Sequence, residues 1–147
     1  MNKSFLIGLV AGQRAMTPLA VLAGAARDGR LAADAPGAKL LAHPLAAAGA
    51  VALAAGEMAG DKMKTAPDRI VPAGLAGRLA TGAFAGAVLA APGRRRSGAA
   101  IGAATAVASS FLGWALRVNA MRRFGQTATG AVEDAAVLAA GQAIVSR

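Results

Sequence analysis

Glu57 and Arg14 lie in the middle of stretches that otherwise read as membrane-spanning helix. A charge in hydrocarbon is costly, so an ionisable residue at that depth marks a functional site and needs a partner. The surroundings support this reading. Of 147 residues, 56% are apolar, and the mean hydropathy is +0.50. A soluble domain of this size needs more polar residues to cover its surface. The apolar residues are mostly Ala, Gly, Leu and Val, with Trp114 and four Phe as the only aromatics. Each span is thus weakly hydrophobic, and a soluble Ala-rich bundle is the rival class.

Five apolar segments favour the membrane class. The first runs from Ser4 to Ala26, long enough at about 1.5 Å per residue to cross a core of about 30 Å, with Arg14, Thr17 and Pro18 near its centre. Its start resembles a signal peptide, but Arg14 interrupts the apolar run, which resumes without a clean stop, so it reads as a retained first span. Arg27 to His43 holds too many breakers for a span and reads as a loop with one interfacial turn. The remaining segments are Pro44 to Gly60, Pro72 to Ala91, Ser97 to Leu116 and Thr127 to Val145. Pro44 and Pro72 suit first-turn positions. The fold class expected is all-α: one domain over residues 1–147, a polytopic transmembrane bundle of about five spans, four to six being allowed.

Five crossings put the termini on opposite sides of the bilayer. Lys3, Lys62, Lys64, Arg69, Arg117, Arg122 and Arg123 then share one side, and Arg27, Arg30, Lys39, Arg94, Arg95, Arg96 and Arg147 the other, a tie. Cytoplasmic loops normally carry the excess, so either the span count is off by one or the protein inserts both ways.

The net charge of +9 collects in the connections rather than on one polar face, which points to anionic lipid headgroups and away from nucleic acid. Arg94, Arg95, Arg96, Arg122 and Arg123 are the candidate headgroup contacts. With no Cys there is no disulfide, thiolate metal site or redox dithiol. Glycines four apart recur as Gly8/Gly12, Gly56/Gly60, Gly82/Gly86 and Gly98/Gly102, the last continuing through Ala106 and Ser110. That spacing lets helix backbones approach closely. Thin helices enclose little volume, so a homo-oligomer is expected.

Following the helix directions brings Glu57, Arg78, Arg117, Glu133 and Asp134 into one leaflet, with Arg14 as a floor and Asp61 and Lys62 as a rim. Glu57, Asp61 and Lys64 share a helix face. Two carboxylates that close raise one another's pKa unless a cation intervenes, so the group is suited to a proton or a hard cation. The bland alternative sets four cations (Arg14, Lys62, Arg78, Arg117) against four anions (Glu57, Asp61, Glu133, Asp134) as structural pairs. Pro18 removes a helix hydrogen bond beside Arg14. It either kinks the helix for packing or breaks it, as in transporters that expose backbone groups to a substrate. His43 reads as interfacial. No nucleophile-base pair, phosphate-cradling loop or metal-ligand cluster is present in the sequence, so neither enzyme activity nor a cofactor or metal is expected.

Gly12-Gln13-Arg14-Ala15-Met16-Thr17-Pro18, Gly56-Glu57 with Asp61-Lys62, Ala66-Pro67-Asp68-Arg69 leading to Gly77-Arg78, and Glu133-Asp134-Ala135 together resemble bacterial membrane proteins of "domain of unknown function 4126". The ordered set carries the resemblance, across nearly the whole chain. Gln13 and Met63-Lys64 depart from the family pattern. The resemblance implies a multi-pass protein of the bacterial inner membrane and adds weight to Arg14, Glu57, Asp61, Lys62, Arg69, Arg78, Glu133 and Asp134; it implies no activity. The function expected is a homo-oligomeric transporter or channel for a proton, ion or small charged solute, with Arg14, Thr17, Glu57, Asp61, Arg78, Glu133 and Asp134 as binding residues and Lys62, Arg69 and Arg117 supporting them. The alternative is a non-transporting assembly or lipid-binding module.

Overall fold

The computed structural model describes residues 2–63 and 70–146. Among them the chain is all-helical. Its elements are α1 (Lys3–Gln13), α2 (Thr17–Arg27), α3 (Ala38–Ala42), α4 (Pro44–Gly60), α5 (Pro72–Val88), α6 (Arg95–Phe124) and α7 (Gln126–Ser146). Pro44 and Pro72 open their helices, and the turn before α4 is the short α3.

The first apolar segment is not one helix. It breaks at Arg14, whose backbone is extended (φ −141°, ψ 113°), and Pro18 falls in the first turn of α2 instead of kinking a continuous helix. The reason is local: proline's missing N–H costs nothing at a helix start, whereas inside a helix it forfeits a bond. Each leg has 11 residues and a length of about 16 Å, roughly half a bilayer core.

The two legs turn back on themselves. Lys3 shares a cavity with Leu89, Ala90 and Arg94 of the α5–α6 turn, and a groove with Ala140 and Ile144 near the end of α7. Beyond α2, Arg30 bonds Ser146 at 3.2 Å, and Asp34 bonds Arg95 at 2.8 Å. The start of α1 and the end of α2 therefore lie at one end of the bundle, the base, and residues 14–16 form the tip of a hairpin. Helices α4 to α7 run alternately away from and toward that base. A run of five alternating crossings, with its termini at opposite ends, is corrected accordingly: Lys3 and Ile144 are neighbours.

One described helix, α6, with 30 residues, is long and apolar enough to cross a membrane. Pro44–Gly60 is apolar but has 17 residues. The expectation of about five such spans is not met, because the first is divided and Arg78 in α5 and Glu133 with Asp134 in α7 dilute two others.

Helices α1, α5 and α6 meet along a seam of glycines, with α1 parallel and α5 antiparallel to α6. A Cβ on Gly102 would lie 2.1 Å from the Gly82 carbonyl oxygen, one on Gly86 2.2 Å from that of Gly98, and one on Gly8 2.7 Å from that of Gly102. Ser4 Oγ donates to the Gly86 carbonyl at 2.8 Å. Three of the four glycine pairs thus serve close approach as expected. The fourth, Gly56/Gly60, faces open space. The other leg, α2, buries Val21 and Leu22 in an apolar core shared with Leu41 of α3, Ala47 and Ala50 of α4 and Val137 of α7.

Candidate functional site

The hairpin tip sits where the charges converge. Breaking the helix at Arg14 frees the first backbone N–H groups of the second leg, which have no partner inside α2. Glu57, in the last turn of α4, meets them: Oε1 accepts from Ala15 N at 2.8 Å and Oε2 from Met16 N at 2.8 Å. A carboxylate on two amides at a helix N-terminus is favoured by both hydrogen bonding and the helix dipole. Arg78 approaches the same carboxylate from α5 at 3.9 Å.

Arg14 is fully buried. Its Nε donates to Asp134 Oδ1 at 2.7 Å, and its Nη1 pairs with Asp61 Oδ2. Nη2 lies 2.7 Å from the same Asp134 oxygen and 3.8 Å from Glu133 Oε2, but without the alignment of a hydrogen bond, so the contact is electrostatic. Asp61 is the hub. It caps the end of α4, and its Oδ2 also pairs with Arg117 Nη1, while its carbonyl accepts from Arg117 Nη2 at 2.9 Å and Gln126 Nε2 at 3.2 Å. Arg117 reaches Glu133 at 3.4 Å, and Lys62 pairs with Asp134 and donates to the Met58 carbonyl at 3.0 Å.

Arg14, Glu57, Asp61, Lys62, Arg78, Arg117, Glu133 and Asp134 are therefore brought together at one end of the bundle. Every cation of the set stands against an anion. Glu57 sits on two amides and near Arg78, and Asp61 on Arg14 and Arg117, so donors and cations offset the mutual repulsion that their spacing implies. The carboxylates retain some exposure: 20% at Glu57, 17% at Glu133 and 15% at Asp61. Thr17 is buried, and its hydroxyl has no hydrogen-bond partner among the described residues. Lys64 and Arg69 lie outside the described residues.

No family model matches this chain, and no curated protein or solved structure matches it. The site therefore rests on its own geometry.

Sequence reasoning missed the polar clasp beneath the tip. Gln13 Nε2 donates to Ser109 O at 2.9 Å and Ser109 Oγ at 2.7 Å; Ser109 Oγ donates to Leu9 O at 3.0 Å, and Ser110 Oγ to Gly12 O at 3.2 Å. These bonds hold the carbonyl end of the first leg. The signal was Ser110 continuing the Gly98, Gly102, Ala106 stripe, and Gln13 beside Arg14 in an apolar run.

The basic clusters divide. Arg94, Arg96, Arg122 and Arg123 are exposed, as headgroup contacts must be. Arg95 is corrected. It folds back onto the end of α5, donating to Ala87 O at 3.1 Å, and binds Asp34. That hydrogen bond and charge hold the Asp34 carboxyl below its ordinary value of 3.8. His43 caps α4, accepting from Leu45 N at 3.3 Å.

Proposed function

We propose that the protein is an integral membrane bundle of four crossings, α4 to α7, into which α1 and α2 dip as a re-entrant hairpin, and that the charged tip handles a proton, ion or small charged solute in transport or channel conduction. The observation that carries this reading is the hairpin itself. Non-helical backbone at membrane depth persists only where it is buried in protein or lines a water-filled cavity, and broken helices are where transporters build their binding sites. The distribution of side chains agrees. Arg14, Arg78, Arg117 and Asp134 are buried, while Leu45, Leu53, Leu112, Leu116 and Val132 are more than half exposed, the inverse of a water-soluble protein.

The hairpin also removes the tie in the charge count. Lys3, Arg27, Arg30, Lys39, Arg94, Arg95 and Arg96 gather at the base, while Lys62, Arg122 and Arg123 lie at the other end with Arg117 in the ion cluster. With Lys64 and Arg69 assigned to the far connection and Arg147 to the base by sequence, the base carries the excess and faces the cytoplasm. Because the chain has no Cys, single cysteines report this directly. Lys3→Cys and Arg96→Cys become labelled from the same side by an impermeant maleimide, and Arg123→Cys from the other; five alternating crossings would instead separate Lys3 from Arg96.

Function is tested in proteoliposomes carrying a pH-sensitive dye and imposed cation and anion gradients. Wild type conducts, and Glu57→Gln, which keeps one acceptor for the freed amides but cannot titrate, loses the flux while remaining folded. The mutual neutralisation of the eight charges favours a second reading, a non-transporting module clamped by ion pairs. Wild type that moves no tested ion selects it. Assembly as a homo-oligomer belongs to the proposal under either reading.

A further inference from the structure

At the base, away from the charged tip, two cavities share one lysine. The first, of about 310 Å³, is polar and basic: Asn2, Lys3 and Ser4 line it from the start of α1, and Arg94 and Ser97 from the start of α6. The second, of about 470 Å³, is an apolar groove between α1 and α7, lined beside Lys3 by Leu6, Leu9, Val10, Ala140, Ala143 and Ile144. Among the described residues, Lys3 and Arg94 take part in no ion pair, although Arg95 next door is committed to Asp34.

We propose that this double cavity is a binding site for one anionic phospholipid, its phosphate headgroup in the basic pocket and an acyl chain along the groove. Three features converge on that ligand. Two helix N-termini lie at the pocket: that of the 30-residue α6 has no side-chain cap and favours an anion, and that of the 11-residue α1, capped by Asn2, adds its dipole. Two cationic side chains flank it, and Asn2, whose Oδ1 is occupied by the Ser4 N–H at 2.9 Å, keeps its amide N–H₂ for a phosphate oxygen. Lys3 joins the headgroup pocket to a groove whose walls reach the surface at Leu9, Ala140 and Ala143. A free phosphate would use the pocket and ignore the groove; a phospholipid uses both. Membrane insertion brings this end to the headgroup level, so the inference rests on the reading above.

The experiment begins with alkaline extraction of membranes. Protein in the membrane pellet sustains the bilayer reading; protein released to the supernatant overturns both that reading and the lipid site. The purified protein is then titrated in neutral detergent with phosphatidylglycerol, phosphatidylcholine or glycerol phosphate and followed by native mass spectrometry. The expected result is a one-to-one phosphatidylglycerol adduct favoured about tenfold over phosphatidylcholine, with the preference abolished in Lys3→Gln/Arg94→Gln and kept in Arg27→Gln/Lys39→Gln, which removes two exposed cations of the same end outside the pocket. Ala140→Phe, which fills the groove, weakens both lipids without touching the basic pocket. Equal retention of the two lipids by wild type, an unchanged preference in Lys3→Gln/Arg94→Gln, or displacement of the lipid by equimolar glycerol phosphate would each overturn the site.

Discussion

The first leg of the hairpin and its tip are held by opposite means. α1 lies in a seam where atoms are absent: Gly8, Gly82, Gly86 and Gly102 bring backbones together so closely that a single methyl would meet a carbonyl oxygen. The tip beyond it is held by charges, with Arg14, Asp61, Arg117, Asp134 and Lys62 locked to one another. Under the bilayer reading proposed above, the hydrophobic force between helices is gone, and these are two remaining ways to fix a helix: contact area and electrostatics. The seam tolerates no added volume, and the tip tolerates no lost partner.

The strongest break of the comparison is at the tip. Asp134→Ala takes from Lys62 its carboxylate and leaves buried Arg14 with Asp61 and the more distant Glu133, and removing one partner of a buried pair costs about 3–5 kcal/mol. A fall in thermal midpoint in detergent that is smaller than that of the seam variants would mean that water already screens the cluster. Next comes the seam itself. Gly102→Val forces atoms into the Gly82 carbonyl and costs about 1–3 kcal/mol. Gly56→Ala, same residue type and same spacing but open space, stays within about 0.5 kcal/mol of wild type. Equal losses at the two positions would show that the seam is not what distinguishes them.

That contrast also marks what was legible in the sequence. Glycine spacing identified the seam, since the period of a helix face is written in the residues, but Gly56/Gly60 carries the same pattern and contacts nothing. Spacing states that a close approach is allowed, and a facing helix must still be there. The charged residues were legible as a set because burial in an apolar run is costly whatever the partner. Their pairing was not. It depends on the hairpin, and a run from Ser4 to Ala26 of nearly uniform apolarity hides a reversal, because the extended backbone at Arg14 is sustained by Glu57, 43 residues downstream. Topology followed the same course: once the first segment turns back, both arms of the charge count change.

Smaller effects sharpen the picture at the edges of the tip. Glu57 acts as a remote cap, so Glu57→Ala loses about 0.5–2 kcal/mol, the range of an ordinary N-cap, and Glu57→Gln less. A loss from Glu57→Ala as large as that of Asp134→Ala would merge the cap with the ion cluster as one unit.

The smallest effect belongs to the base, where an exposed Asp34 pairs with Arg95 at the surface, the setting in which ion pairs contribute least. The sign is fixed. Arg95 depresses the carboxyl of Asp34 in the folded state, so the pair's contribution is present above the ordinary value of 3.8 and is lost as pH falls through the lower folded value. Thermal midpoints of wild type and Asp34→Asn should therefore differ by a small constant from about pH 7 to about pH 5 and converge in stronger acid. The α5 end offers a reason for the pair beyond stability: Arg95 Nη1 also donates to the Ala87 carbonyl, so Asp34 helps orient a side chain that closes the turn beside Lys3 and Arg94. If Asp34→Asn also loosened phosphatidylglycerol binding, the pair would be a positioning contact for that pocket, and the base, like the tip, would owe its geometry to charge.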